Sequence, residues 1–347
     1  MRQVVRYGVL IVMTAALTPR TADAQVYPER IAVKARAAAV AYQRRARDDN
    51  REEQTERTTK TLKIGSDGSI DLENISGDIT VTRGGGSDAT VEIVKTARAH
   101  DASEAKTELG LVTVDVNERA GRVEIKTRYP SGEHRNLNVS VNYIVTAPAG
   151  ARVSAQSISG NIKIADIKGD VSARTVSGDV RISGAARINS AKTISGNVEI
   201  SDVKTDGGID AGTISGDIRF RHVSARRLGA GTVSGEVHIE DVETQNVLAQ
   251  STSGSIDFSG GLAEHGRYEL KAFSGDVHMA ISGNRGFEVE ANSFSGDVRS
   301  DFPITTHGTA DSGRRGPRRT ILRGTYGDGS AVLSITTFNG SIVLTKR

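Results

Sequence analysis

One short motif recurs through the second half of the chain at a near-constant spacing. ISGNI centres on Gly160, VSGDV on Gly178, ISGNV on Gly196 and ISGDI on Gly216; VSGEV, TSGSI, FSGDV and FSGDV follow at Gly235, Gly254, Gly275 and Gly296. The intervals are 18, 18, 20, 19, 19, 21 and 21 residues. An earlier copy, ISGDI, lies at Gly77, and a later one, FNGSI, at Gly340. A period near 20 residues built from strand-like units excludes most globular topologies and points to a parallel β-solenoid, β-helix-like, whose coils stack along one axis.

The columns of the repeat show how a coil is made. Two residues after each glycine come Ile162, Val180, Val198, Ile218, Val237, Ile256, Val277 and Val298; four after come Ile164, Ile182, Ile200, Phe220, Ile239, Phe258, Met279 and Ser300. Period-two alternation points both columns inward and the polar column between them outward. Ile162, Val180, Val198 and Ile218 are therefore expected in one interior row. Upstream of the glycine, small apolar residues recur at Ala155, Ala173, Ala191, Ala211, Ala230, Ala249, Leu270 and Ala291. Tyr268 and Asn189 interrupt the next column out. Three residues before the glycine stands mostly Thr or Ser, and two before it Ile158, Val176, Ile194, Ile214, Val233, Thr252, Phe273 or Phe294. Alternation slips by one residue there, and a one-residue slip exchanges faces. The slip reads as the place where the chain turns from one sheet to the other. Glycine permits positive φ at that corner, and the following Asp, Asn or Ser is expected to bond its own backbone.

The segments before the array have other patterns. Residues 1–24 read as a secretory signal peptide: Arg2 and Arg6, an apolar run from Tyr7 to Leu17, then Ala22-Asp23-Ala24 before Gln25. The run is too short to span a bilayer. Residues 25–60 read as a charged helical segment or flexible linker, with a narrow apolar stripe of Ile31, Ala35, Ala38, Ala39 and Tyr42. Residues 61–150 alternate with period two and are expected to form an N-terminal β module capping the open end of the array. Asp101 to Gly110 is its one helical interruption, capped by Asp101 or Ser103. Residues 151–347 carry the array, with a Gly/Pro-rich loop insertion near 302–320 and a final coil or two after it.

Composition fits an exported repeat protein. There are 38 Gly, 6 Pro, no Cys and no Trp, so many short strands are joined by tight turns and no disulfide is needed. Lys plus Arg total 45 and Asp plus Glu 42. Removing residues 1–24 takes away Arg2, Arg6, Arg20 and Asp23, which lowers the net charge from +3 to +1. That balance is a poor basis for nucleic-acid binding.

The serial SGD corners, the T-[IVF]-SG that precedes them, and the closing G-T-Y-G-D-G-S-A-V-L-S-I-T-T-F-N-G-S-I resemble the bacterial putative-adhesin domain family, over roughly residues 62–347. The resemblance implies an exported β-solenoid similar to autotransporter adhesin head domains, with adhesion suggested by architecture and no catalytic residues to carry over.

Three groups of residues bear on chemistry. Asp179, Asp217, Asp276 and Asp297 at the corners are candidate calcium ligands, but Asn161, Asn197, Glu236 and Ser255 fill the same position, as a turn-stabilising role requires. His238, Asp257 and His278 share one outward column, where zinc or simple charge pairing are the alternatives. Arg314, Arg315, Arg318 and Arg319, with Arg323, form the one basic cluster, a candidate polyanion contact or a solvated loop. No Cys nucleophile, GxSxG, HExxH or P-loop occurs. The sequence thus assigns no catalytic, cofactor or metal residues. Its primary reading is a non-catalytic exported cell-envelope or secreted adhesin-like or scaffold protein, located in the periplasm, at the cell surface or outside the cell. Its partner is an unidentified protein or cell-surface glycan, with no nucleic acid and no transmembrane segment in the mature chain. The alternative is a polysaccharide-active β-helix enzyme.

Overall fold

A computed structural model describes residues 51–131, 137–306 and 320–347. The signal peptide, most of the expected linker and the basic cluster Arg314, Arg315, Arg318 and Arg319 lie outside the described residues. The fold from Glu52 to Arg347 is all-β with one helix, Ala102–Leu111.

Each repeat contributes a strand before the corner and one after it, and equivalent strands of neighbouring repeats pair in parallel. On the downstream side Ile162 pairs with Val180, Val180 with Val198, Val198 with Ile218 and Ile218 with Val237. The row continues through Ile256 to Val277. All seven side chains are buried. On the upstream side Ala155, Ala173, Ala191, Ala211, Ala230 and Ala249 are likewise in register and buried. Burying each Val or Ile contributes on the order of 1.5–3 kcal/mol, and the rows are continuous from layer to layer, with Phe220 and Phe258 taking their places in the neighbouring inward row. The two exceptions have local causes. A register shift between Val171 and Ser172 lets Ile188 take the interior place that Asn189 would have held. Tyr268 fits inside because its hydroxyl donates to the Thr244 carbonyl at 2.8 Å and accepts from the Ala263 amide at 2.8 Å.

The corner differs from the expected one. Alternation does not slip after Thr; it runs on, so Ile158, Val176, Ile194, Ile214, Val233, Phe273 and Phe294 project outward. The turn falls at Ser-Gly. There the glycine adopts positive φ, 145° at Gly216, and a Cβ at that site would lie 2.0 Å from the Gly196 carbonyl oxygen. The corner glycine amides from Gly160 to Gly254 donate to the next layer's serine carbonyl, as from Gly160 to Ser177, Gly178 to Ser195 and Gly196 to Ser215, and the Gly275 amide donates to the Asn339 carbonyl. The buried threonines complete the corner. Thr175, Thr193, Thr213 and Thr232 donate to the carbonyls of Gly160, Gly178, Gly196 and Gly216. A buried acceptor left unpaired costs about 1–3 kcal/mol, which accounts for Thr or Ser at this place.

The last repeat in sequence is not the last in space. Strand Ala331–Asn339 pairs with Arg267–Ser274 on one side and Phe287–Ser295 on the other. Strand Ile342–Lys346 does the same between Val277–Ser282 and Val298–Ser300. The corner order is therefore Gly254, Gly275, Gly340, Gly296. From Gly160 to Gly296 there are eight steps rather than seven, about 38 Å at about 4.8 Å each. The opposite end mirrors this. The layer of Gly77 sits between the layer of Gly160 and an outer layer made by Arg122–Arg128 and Val139–Ala147. At each end, the first or last corner in sequence, Gly77 or Gly340, is thus held one layer in from the outermost parallel layer.

Antiparallel strands cover the outer edges. Thr113–Arg119 lies on Arg122–Arg128, and Asp88–Ala99 lies on Val139–Ala147. Thr320–Tyr326 covers Phe287–Ser295. Glu52–Lys63 pairs along its whole length with Asp88–Ala99, which corrects the expected linker: residues 52–60 are strand. This segment escaped the period-two reading because nearly all its side chains are exposed, so it carries charge in place of alternation. Arg57–Glu92 at 2.8 Å, Lys95–Glu56 at 2.9 Å and Arg98–Glu53 at 2.8 Å fix its register. The helix is capped by Asp101, whose carboxylate accepts from the Glu104 amide at 2.8 Å.

Candidate functional site

The outward residue two places before each corner glycine recurs in every layer, so the stack turns one apolar side chain per repeat into a stripe. In spatial order it runs Ile158, Val176, Ile194, Ile214, Val233, Thr252, Phe273, Phe338 and Phe294. Exposure is 53% at Ile158 and 55% at Phe273. Folding does not bury this surface, and contiguous exposed apolar patches mark interaction sites. The three phenylalanines stack ring on ring, with centroids 5.1 Å apart for Phe273–Phe338 and 4.5 Å for Phe294–Phe338. The C-terminal repeat supplies the middle ring, so the intercalated order of layers builds this platform.

Beside the stripe runs a groove in two parts that share Thr213, Gly231 and Gln250. One part, of about 710 Å³, is lined by Val233, Ala272 and the three phenylalanines. The other, of about 520 Å³, is lined by Val176, Ile194, Ile214, Gly212 and Gly231, with Arg174, Lys192, Asp210 and Arg227 around it. Its depth comes from Gly212 and Gly231, which stand at outward strand positions where other layers carry Arg174, Lys192, Gln250 or Lys271. Lys192 pairs with Asp210 at 2.6 Å.

The residues singled out in the sequence have structural employment. Asp179 accepts from the Asn197 amide at 2.9 Å, Asp217 from the Glu236 amide at 2.8 Å and Asp276 from the Ser341 amide at 2.7 Å. Asn161 and Asn197 accept from the Asp179 and Asp217 amides in the same way. The corner side chain thus bonds the next layer, not its own backbone as expected, and an amide oxygen serves as well as a carboxylate. Asp297 is the exception: it receives Arg299 at 3.2 Å. His238, Asp257 and His278 do come together: His238 Nδ1 and His278 Nδ1 lie 3.1 and 3.0 Å from the two Asp257 oxygens. This is a charge ladder, and among the described residues no cluster of three His, Cys, Asp or Glu side chains is arranged to hold a metal ion. Arg323, the one described member of the basic cluster, bonds Glu290 through Nε at 3.1 Å. Among the described residues no helix is long and apolar enough to cross a membrane.

A network of buried polar side chains lies at the N-terminal end. Tyr143 and Thr127 are hydrogen-bonded to each other, Thr127 donates to Asn74 at 2.9 Å, and Asn74 donates to the Val141 carbonyl at 2.7 Å. Burial pushes the Tyr143 phenol up to about 12, and it also raises Tyr129 and Tyr268.

The apolar stripe stands in the sequence as a clear column, but its pattern alone reads as a turn between sheets. The burial of the threonine beside it is the signal that separates the two faces.

The family model described as Toastrack DUF4097 matches residues 67–345. Three solved structures align along most of the chain. A "putative cell adhesion protein" from Clostridium sporogenes is 9% identical, covering 85% of this chain and 100% of its own, with a TM-score of 0.23. A "putative lipid binding protein" from Parabacteroides distasonis is 12% identical, covering 83% and 97%, with a TM-score of 0.44. A "putative adhesin" from Bacteroides fragilis is 13% identical, covering 84% and 97%, with a TM-score of 0.41. No curated protein matches the chain.

Proposed function

The chain belongs to the Toastrack DUF4097 family, and we propose that it is an exported, non-catalytic binding protein, adhesin-like or scaffold-like, that docks a partner on the stripe face. In this reading residues 1–24 direct export to the periplasm, the cell surface or the medium. Residues 25–51 join the signal to a capping β module, and the module seals a parallel β-solenoid running to the C-terminus. The registered parallel ladders and their antiparallel end strands support the solenoid and the cap.

The observation that carries the reading is the run of exposed apolar side chains, one per layer and broken only at Thr252, beside a groove floored by glycine. A stack of hydrogen-bonded layers holds this run rigid, so binding orders little and spends little conformational entropy. The partner class is an envelope component, protein or cell-surface glycan. Two purified forms decide it: the full chain and an Ile194→Ser/Ile214→Ser/Val233→Ser variant, both tested for co-sedimentation with isolated bacterial envelopes. The full chain sediments with envelopes, the variant stays in the supernatant with an unchanged melting temperature, and neither releases reducing sugar from polysaccharide. Equal sedimentation of both forms overturns the docking face, and reducing-sugar release restores the enzyme reading. A glycan array then separates glycan from protein partners.

A further inference from the structure

The antiparallel end strands move the open edge of the sheet outward without closing it. Thr320–Tyr326 carries the short strand Thr305–Thr306 on its far side, and Thr113–Arg119 is only 7 residues long. Glu52–Lys63 is different. It runs for 12 residues without Pro or Gly, and its register against Asp88–Ala99 is unbroken. Among the described residues no strand pairs with its other edge. A long, regular, unpaired edge is a template for another strand, and natural proteins blunt such edges with Pro, bulges, short length or charge. Charge is the one device present here.

Which backbone groups face that edge follows from two hydrogen bonds. The Arg98 amide donates to the Asn138 carbonyl at 3.0 Å, so the even-numbered residues of Asp88–Ala99 bond away from Glu52–Lys63. The odd-numbered ones bond toward it and meet its even-numbered residues. Glu53, Thr55, Arg57, Thr59, Thr61 and Lys63 therefore direct N–H and C=O outward. The Lys63 amide agrees, donating away from the sheet to the Glu118 carboxylate at 3.0 Å.

The charges are sorted along the strand. Glu52, Glu53 and Glu56 occupy its first half, and Arg57, Lys60 and Lys63 its second. Such a strand complements a second copy of itself running the opposite way. Outward-bonding residues must face outward-bonding residues, so the register slides only in steps of two. With Thr58 facing Thr58, Glu53 faces Lys63, Glu56 faces Lys60 and Thr55 faces Thr61. One step one way sets Arg57 against Arg57. One step the other way sets Glu56 against Leu62 and Lys60 against Thr58. Among the described residues neither Lys60 nor Lys63 is paired with a carboxylate. Glu53 and Glu56 each hold Arg98 or Lys95 through one oxygen and stay half exposed, so the second oxygen can accept another cation. The helix Ala102–Leu111 packs on both strands. Two-fold continuation sets it and its mate about two strand spacings apart, near 10 Å, an ordinary helix-packing distance.

We infer that Glu52–Lys63 is a self-association edge: two copies of the chain pair antiparallel along it, about a two-fold axis at Thr58. The contact is isologous, so it closes at two copies. Its strength comes from main-chain hydrogen bonds and facing charges, as in other strand additions. An edge about 40 Å long and about 10 Å thick buries about 400 Å² per copy, half of a standard interface, so the dimer is reversible. The inference is independent of the stripe face.

The test is sedimentation equilibrium of the full chain across a wide range of concentration, where the mass rises toward that of two copies. Two variants accompany it. Thr59→Pro removes an outward N–H at an edge, a place where proline is tolerated. Lys60→Glu/Lys63→Glu turns the facing charge pairs into repulsions. Each weakens the dimer about tenfold or more and keeps a melting temperature close to the parent's. Cysteine variants then read the register in a chain with no native cysteine. Thr58→Cys gives a disulfide-linked dimer on mild oxidation, because facing Cα atoms at a non-hydrogen-bonded pair lie about 4.5 Å apart. Thr55→Cys alone does not, since its two copies stand six residues apart, about 20 Å, but it cross-links to Thr61→Cys when the two are mixed. A monomer at every concentration overturns the inference, as does a dimer equally strong in both edge variants. A disulfide from Thr55→Cys alone, with none from Thr58→Cys, overturns the two-fold register. A dimer lost in Ile194→Ser/Ile214→Ser/Val233→Ser and kept in the edge variants also overturns the inference and assigns self-association to the stripe.

Discussion

Gly216→Val and Gly231→Ala place a side chain at two glycines that the structure treats in opposite ways. At Gly216 the new Cβ would lie 2.0 Å from the Gly196 oxygen and 2.6 Å from its carbonyl carbon, with φ at +145°. Relieving that overlap moves the two layers apart by roughly 1 Å at the corner, since carbon and oxygen in contact sit well beyond 3 Å. The Gly196 amide to Ser215 carbonyl bond at 2.9 Å and the Asp217 amide to Asn197 bond at 2.8 Å do not survive such a shift. Losing two bonds at about 1 kcal/mol each, plus about 1–3 kcal/mol of backbone strain, gives a destabilisation of roughly 3–5 kcal/mol. For a domain of this size that is on the order of a 10 °C drop in melting temperature. At Gly231 the Cβ meets nothing and φ is not in the left-handed region, so alanine should stabilise by about 0.4–1 kcal/mol through the unfolded state. Arg219→Ala, an outward residue, should stay within about 0.5 kcal/mol. Thermal unfolding followed by circular dichroism reads all three. Equal melting temperatures for Gly216→Val and Arg219→Ala would refute the corner argument.

Other expectations follow from the same contacts. Asp217→Asn should leave the melting temperature within about 2 °C of the parent, because an amide oxygen still accepts from Glu236, whereas Asp217→Ala should cost about 1 kcal/mol; EDTA should change neither. Thr213→Val should destabilise by about 1–3 kcal/mol by orphaning the Gly196 carbonyl, measured by urea unfolding. Tyr143 titrates near 10 when unfolded and at about 12 when folded, so its contribution is complete below pH 10 and disappears as pH rises from 10 to 12. Ultraviolet titration at pH 11 should find its phenol still protonated, and phenolate absorbance from every tyrosine of the folded chain would contradict the burial.

The all-β class was legible because inward columns of Ile, Val and Ala repeat at fixed distances from the glycine, and a column of that kind has one physical reading. The order of the last two layers was not. FNGSI at Gly340 carries the same corner chemistry as FSGDV at Gly296, and parallel stacking depends on matching faces, which both repeats present; nothing in either motif states which lies outermost. Glu52–Lys63 escaped for a different reason, since a strand with both faces near solvent has no apolar alternation to read. The docking face was half legible. Its residues stand in a clear column, but apolar side chains next to a turn read as part of the fold, and only the buried hydroxyl of Thr175 and its equivalents shows that the outward side belongs to the column beside them. The groove depends on Gly212 and Gly231, whose importance lies in side chains they lack.

The aromatic end of the groove exists only if the C-terminal repeat lies between the layers of Gly275 and Gly296. Two paired cysteine variants test this in a chain with no native cysteine. In one, His278→Cys/Val343→Cys, the positions are direct partners in neighbouring strands; in the other, His278→Cys/Arg299→Cys, Val343 stands between them. Neighbouring parallel strands are about 4.8 Å apart, within disulfide reach, and two steps, near 10 Å, are not. Mild oxidation followed by non-reducing electrophoresis should show an intramolecular disulfide in the first variant and free thiols in the second. A disulfide in the second and none in the first would mean that the repeats stack in sequence order.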